Sequence, residues 1–205
     1  YGSGSPTGIT YYENGALPNK YEGSLFSCEP AKRQVFRYVP KAEGAGYKLE
    51  REVFLSRQGS DRMAGAFSDI MVGTDGALYI ADWYDPMVGG HGAADKQHIG
   101  KIYRIAPKGF KPTNAASESA EELLASPAHN VRFQGFEKLR AHGDSSLPLI
   151  KKLLNCDSPW LVGRAIWVLP YLGEPGIAEL NNIPSNIGEK DYRYRTAALR
   201  SALRY

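Results

Sequence analysis

The sequence predicts a multidomain protein, β first and α second: a partial β-propeller of about two blades followed by an α-solenoid of HEAT-like helix pairs. Three observations predict it. A strand pattern occurs twice before a Pro/Gly/Ser/Asn-rich stretch, "APKGFKPTNAASES" (Ala106 to Ser119), and composition changes sharply there. Beyond it, Leu/Ala/Arg helical patterns recur every 31–32 residues. The predicted boundaries are residues 1–110 for the blades, 111–118 for a linker and 119–205 for truncated helical repeats.

Within the first part, "GITYY", "SLFSCE" and "QVFRYVPK" parallel "SDIMV", "ALYIAD" and "KIYRIAPK". Leu25 and Leu78 correspond, as do Val35 and Ile102, so the second copy carries 14 extra residues, mostly "DPMVGGHGAADKQH". Each copy reads as short antiparallel strands joined by turns, with "REVFLS" as an outer strand of the first. In "TDGA" (Thr74 to Ala77) the Asp-Gly pair marks a hairpin, because Gly76 tolerates the positive φ that such a turn needs. Units of about 40–50 residues with four strands each are the pattern of propeller blades, and a propeller closes with at least four of them. The remaining blades are therefore expected upstream. Both chain ends read as cut, since the start lacks a Met or signal peptide and "TAALRSALRY" stops inside a helical pattern.

In the second part, "SPAHNVRFQGFEKL" and "SPWLVGRAIWVLPYLG" align Arg132 with Arg164, and "EKDYRYRTAALRSAL" places Arg195 at the same position again. Leu161, Ala165, Val168 and Leu172 fall on one face of a helix. Leu147, Ile150 and Leu154 form the stripe of a partner helix entered through Pro148. Such pairs bury their stripes against their neighbours in a solenoid. The repeated arginines suggest either a basic stripe for an acidic partner or a hydrogen-bond ladder between stacked repeats.

Composition narrows the function classes. The 205 residues are 42% hydrophobic and 23% charged, with a net charge of +3 spread along the chain. No basic block points to nucleic acid, and no apolar run is long enough to span a membrane. Cys28 and Cys156 lie too far apart to form a metal knuckle, and no CxxCH attaches a c-type haem. P-loop, dinucleotide and nucleophile-elbow motifs are absent.

The chemistry concentrates in the insertion between two strands of the second copy. Asp82, Asp85, His91, Asp95 and His98 supply three carboxylates and two imidazoles there, next to Gly89 and Gly90. Carboxylates suit Ca²⁺ and imidazoles suit transition metals, although the spacing matches no standard metal loop. His91, presented by a glycine-rich segment, is the candidate general base, cofactor contact or metal ligand. Asp82, Trp83 and His91 are the candidate cofactor contacts. The alternative is structural: Asp82 finishes a strand, Asp85-Pro86 starts a turn, and the glycines fold a long loop back. Tyr79, Trp83, Tyr84 and Tyr103 read either as sheet packing or as a stacking platform.

The segment "SDIMVGTDGALYIADWYDPMVGGHGAADKQHIGKIYRIAPKG", running into helical repeats that begin "SPAHNVRFQGFEKL", resembles a planctomycete and verrucomicrobial family of membrane-bound dehydrogenase-like and haem-binding proteins. The propeller of that family is similar to that of soluble quinoprotein glucose and sorbosone dehydrogenases. Relatives often carry Arg-Pro before the Asp that here is Asp69, where this chain reads "GAFSD". The resemblance implies a periplasmic or secreted redox protein acting on a sugar or alcohol. Pyrroloquinoline quinone or Ca²⁺ would be its cofactors, and c-type haem would lie in a domain outside the chain. The other function class open to the sequence is a non-catalytic scaffold, with a propeller that holds a glycan or protein and a solenoid that holds a protein partner.

Overall fold

The computed structural model describes residues 6–44, 46–57, 66–84, 100–111 and 119–204, and the chain divides into two units, residues 1–114 and 115–205. In the first unit, Ile9–Tyr12 (β1), Ser24–Glu29 (β2), Gln34–Glu43 (β3) and Gly46–Ser56 (β4) form an antiparallel sheet in chain order. Ala66–Val72 (β5), Leu78–Trp83 (β6) and Lys101–Ile105 (β7) form a second, three-stranded one. Both sheets are open. Aromatic and β-branched residues fill the strands because such side chains suit a pleated, half-buried surface. Gly23 and Gly76 begin the approach to β2 and β6 with φ of +71° and +83°, the left-handed region that a Cβ disfavours. The outer strand is longer than "REVFLS", because β4 starts five residues earlier and zips along β3 as far as Glu43 opposite Gly46.

The two sheets repeat in register as well as in pattern. Leu25 pairs with Tyr38, Ser27 with Phe36 and Glu29 with Gln34 in the first; Leu78 pairs with Ile105, Ile80 with Tyr103 and Asp82 with Lys101 in the second. On the other side of the middle strand, Ile9 opposite Ser27 matches Ile70 opposite Ile80. Side chains alternate across a strand, so each sheet has two faces. We call front the face that carries Phe26, Cys28 and Val35 in the first sheet and their counterparts Tyr79, Ala81 and Ile102 in the second. The back carries Ile9, Ser27 and Phe36, or Ile70, Ile80 and Tyr103.

The core of this unit lies where the front of the first sheet meets the back of the second. Tyr12, Phe26, Cys28 and Val35 pack there with Ile70, Val72, Leu78 and Ile80. Phe26 is also gripped edge-on by Tyr12 and Phe54. Equivalent residues therefore have opposite fates. Val35 is 0% exposed and its counterpart Ile102 is 75% exposed; Ile70 is 3% exposed and its counterpart Ile9 is 61% exposed.

Burial, with a smaller contribution from the Asp69 carboxylate, pushes the Cys28 thiol up to about 12. A thiol held protonated is a poor nucleophile. Iodoacetamide at neutral pH is therefore expected to modify the half-buried Cys156 of the native chain and to reach Cys28 only after denaturation, a contrast that peptide mass mapping reads directly.

The second unit is helical: Ala120–Ala125 (α1), His129–His142 (α2), Leu147–Leu154 (α3), Pro159–Val168 (α4), Gly173–Asn182 (α5), Ile187–Lys190 (α6) and Tyr192–Ala202 (α7). Ser119, Ser158 and Asp191 accept hydrogen bonds from first-turn amides of α1, α4 and α7, the end of a helix where amides have no intrahelical acceptor. Pro148 and Pro159 sit in first turns, where a missing N–H costs nothing. The predicted stripes face the core: Ile150, Leu154, Ala165, Val168 and Leu172 are all buried there, with Leu147 and Leu161 packed at its margin. At Gly135 a Cβ would meet the Leu124 amide nitrogen at 2.7 Å, so α2 passes α1 at a distance only glycine permits.

Two of the repeated arginines grip the end of α1. The Arg164 guanidinium donates to the Leu124 carbonyl at 2.6 Å, and Arg132 donates to the carbonyls of Ser126 and Pro127. Cations satisfy the free carbonyls at the negative end of a helix. Arg195 is exposed at its own position. Among the described residues no helix is long and apolar enough to cross a membrane.

Candidate functional site

Register determines which connections share an end of the sheets. Glu29 lies opposite Gln34, Gln34 opposite Ser56, and Ala66 opposite Trp83. The chain between β2 and β3, the chain between β4 and β5, and the insertion at 84–100 thus all leave from the same end of their sheets. Asp82 and Trp83 stand at that end, on the last residues of β6.

Their side chains point to opposite faces. Asp82 turns to the back and is 5% exposed; the Tyr103 hydroxyl donates to its Oδ2 at 3.3 Å, and Lys101 is its cross-strand neighbour. Burial, then the charge and hydrogen bond of Asp82, raise the Tyr103 phenol, so Tyr103 keeps its proton and donates it. Trp83 turns to the front and is 43% exposed. Glu29 holds the position equivalent to Asp82 in the first sheet and is likewise buried, so a carboxylate at the end of the second strand belongs to the repeat. The exposed indole next to it does not. Its counterpart is Pro30, which opens a short 3-10 turn over Pro30–Lys32.

A cleft of about 470 Å³ opens at this end, lined by Ser68, Asp82, Trp83, Tyr84 and Lys101. A Cβ at Gly100 would lie 3.3 Å from the Asp82 carbonyl, so the returning chain comes in close against β6. The structure thus brings together Asp82 and Trp83 of the predicted candidates. Asp85, His91, Asp95 and His98 lie outside the described residues, and among the described residues no group of three His, Cys, Asp or Glu side chains could hold a metal ion. Of the other aromatics, Tyr103 packs edge-on against Phe67 and Tyr79 donates to Asp75, while Tyr84 lines the cleft.

One polar cluster escaped the reading of the sequence. In the turn before β6, Asp75 accepts from the Ala77 amide at 3.0 Å, the Tyr79 hydroxyl at 3.0 Å and Arg104 Nε at 2.7 Å. The available signal was the repeat, because Arg37 is the counterpart of Arg104 and also reaches back to its turn, donating to the Lys20 carbonyl. Burial alone would raise Asp75, but those three hydrogen bonds outweigh it and hold the carboxyl below the ordinary carboxylate range. A lowered folded-state pKa stabilises fully above the unfolded value, about 4, and is lost as pH falls through the folded value. Denaturant titrations below about pH 4 should therefore show the β unit losing stability, and Asp75→Asn should flatten that dependence while lowering stability at neutral pH.

No curated protein matches the chain, and no solved structure does. A family profile described as "Domain of unknown function (DUF7133)" matches residues 2–109. Because that stretch is more than half of its length and includes both sheets and the cleft, the chain belongs to the DUF7133 family.

Proposed function

We propose that the chain is part of a periplasmic or secreted redox protein whose β unit binds a sugar or alcohol, as in the quinoprotein dehydrogenases it resembles, with electrons passing to a c-type haem domain outside this chain. The observation that carries the binding half is the cleft at the 84–100 insertion, lined by Trp83, with its exposed indole, and by Ser68, Asp82 and Lys101. An indole face takes the apolar C–H side of a sugar ring, and a few placed polar groups such as Ser68 and Lys101 fix its hydroxyls. His91 would enter from the insertion as the general base or cofactor contact.

The architecture proposed with it is a propeller followed by a HEAT-like solenoid. Equivalent sheets packed front to back form a heterologous joint, and such joints generate rings when the rotation closes. Helices capped alike at Ser158 and Asp191, and Arg132 and Arg164 each six residues past Ser126 and Ser158, support stacked helical repeats.

A quinone supplies the electron acceptor in chemistry of this kind. Among the described residues the cleft offers the single carboxylate of Asp82, faced by Lys101, and this does not fit a Ca²⁺-bound quinone. No step through that cofactor is assigned to them. Asp85, Asp95 and His98 are the further residues of the insertion that a metal would recruit.

Titration with a panel of sugars and polyols, followed by tryptophan fluorescence and calorimetry, tests the binding. Trp83→Ala is expected to weaken binding at least about tenfold with an unchanged melting temperature, consistent with a loss of about 1.4 kcal/mol of stacking. His91→Ala should behave the same way. Unchanged affinity in both variants, or a lowered melting temperature without loss of binding in His91→Ala, would refute the site in favour of a packing role. The scaffold reading keeps one observation of its own: Tyr192, Leu199 and Leu203 form an exposed apolar stripe along α7, suited to a protein partner.

A further inference from the structure

Aromatic rings and arginines gather on the outward side of three neighbouring helices. On α4, Trp160 and Trp167 stand two turns apart, and Tyr171 continues their line in the 3-10 turn Leu169–Leu172. From α2, Phe136 meets the Tyr171 ring edge-on at 5.1 Å, and Phe133 stacks on Phe136 at 6.2 Å. From the α7 side, the Arg204 guanidinium lies over the Trp167 ring at 5.4 Å, and Arg193 and Arg200 precede Arg204 on the same helical stripe. Phe133 is 61% exposed, and Trp160 and Tyr171 are 36% exposed. The face crosses α2, α4 and α7 side by side, so a helix pair stacked before or after them would lengthen it and leave it open.

Between the two tryptophans is a notch. Gly163 lies one turn from each of them, and a Cβ there would meet nothing within 4 Å, so the backbone of α4 is open between two indoles. The charge of these helices has mostly one sign. Together α2, α4 and α7 hold seven Arg or Lys residues and one carboxylate, Glu137, whereas α1, α3, α5 and α6 hold three and five. Glu137 pairs with Arg140, and Asp191 at the start of α7 pairs with Arg193. Among the described residues no carboxylate pairs with Arg200 or Arg204.

We propose that this face binds an acidic segment of a partner protein, which places an apolar side chain in the notch at Gly163 and its carboxylates on Arg200 and Arg204. Trp, Tyr and Arg dominate the energetics of protein interfaces, since each brings a large contact area with a polar handle. The excess of cations selects an acidic partner and steers its approach. Ring faces that a sugar polymer would stack on are taken, because Phe133 covers Phe136 and Arg204 covers Trp167. The proposal is independent of what the cleft of the β unit binds.

Fluorescence anisotropy of the 205-residue chain with a labelled peptide of Glu-Glu-Leu repeats tests it, against peptides of Glu-Glu-Ser and Lys-Lys-Leu repeats and against polygalacturonate. The Glu-Glu-Leu peptide is expected to bind, more weakly as salt rises, and about tenfold or more tightly than the other three. Gly163→Leu, which fills the notch, and the double variant Arg200→Glu with Arg204→Glu should each weaken that binding about tenfold or more. Gly163→Leu should melt no lower than the parent, because the position has room for a Cβ and leucine favours a helix over glycine. If it does melt lower, Trp160→Ala, which removes one wall of the notch, repeats the test. A parent that leaves the Glu-Glu-Leu peptide unbound overturns the proposal. Equal affinity for Glu-Glu-Ser or polygalacturonate overturns it too and leaves a surface for polyanions in general, and full affinity in the variants places the peptide elsewhere on the chain.

Discussion

Replacing Phe26 with alanine is expected to destabilise the β unit by about 3–5 kcal/mol, the cost of removing a fully buried aromatic side chain and leaving a cavity. Phe26 is 0% exposed and lies in the middle of the joint, with its ring centroid 4.7 Å from that of Phe54 and 5.9 Å from that of Tyr12. Few side chains are free to fill the gap, since β2 is held by strands on both sides. Since domains typically total about 5–15 kcal/mol, this loss removes much of the unit's stability. Chemical denaturation followed by the near-ultraviolet signal of the tyrosines reads it. Tyr79→Ala, the equivalent position in the second sheet, faces away from the joint and is expected to cost clearly less.

The second large effect uses the same device in the helical unit. Aligning Arg164 with Arg195 makes Leu172 the counterpart of Leu203. Leu172 is 1% exposed and belongs to the helical core, whereas Leu203 is 86% exposed after the last turn of α7. Leu172→Ala should therefore cost about 2–5 kcal/mol, and Leu203→Ala should stay within about 0.5 kcal/mol. An equal response to the same substitution at both sites would contradict the burial pattern. Far-ultraviolet circular dichroism across a urea titration gives both numbers.

The repeat was legible because strand pairing and sequence pattern share a period. Matching Leu25 to Leu78 and Val35 to Ile102 was enough to fix which residues would face each other in both sheets, and "TDGA" placed the turn between β5 and β6. The stripes through Ile150 and Val168 were legible for the same reason at helical spacing. What periodicity cannot convey is which partner covers a face. Ile9 and Ile70 are the same residue at the same position, and only the neighbouring sheet makes one core and the other surface. For the site, a strand end followed by an insertion pointed to Asp82 and Trp83, but the depth of Asp82 and its bond to Tyr103 depend on a third strand far along the chain. The Asp75 cluster went unseen because its arginine is separated from it by that insertion.

The unequal connections also bear on how the chain reaches this structure. In both sheets every strand pairs with the one before it, so contacts are local and closure is limited by the chain between partners. The segment joining β6 to β7 is roughly four times the length of the one joining β2 to β3, two doublings that add about 1.2 kcal/mol of closure entropy. We expect the four-stranded sheet to nucleate folding, its front then offering β5 and β6 a surface to condense on and β7 docking last. A transition state polarised in this way would place high φ-values on β2 and β3 and low ones on β7.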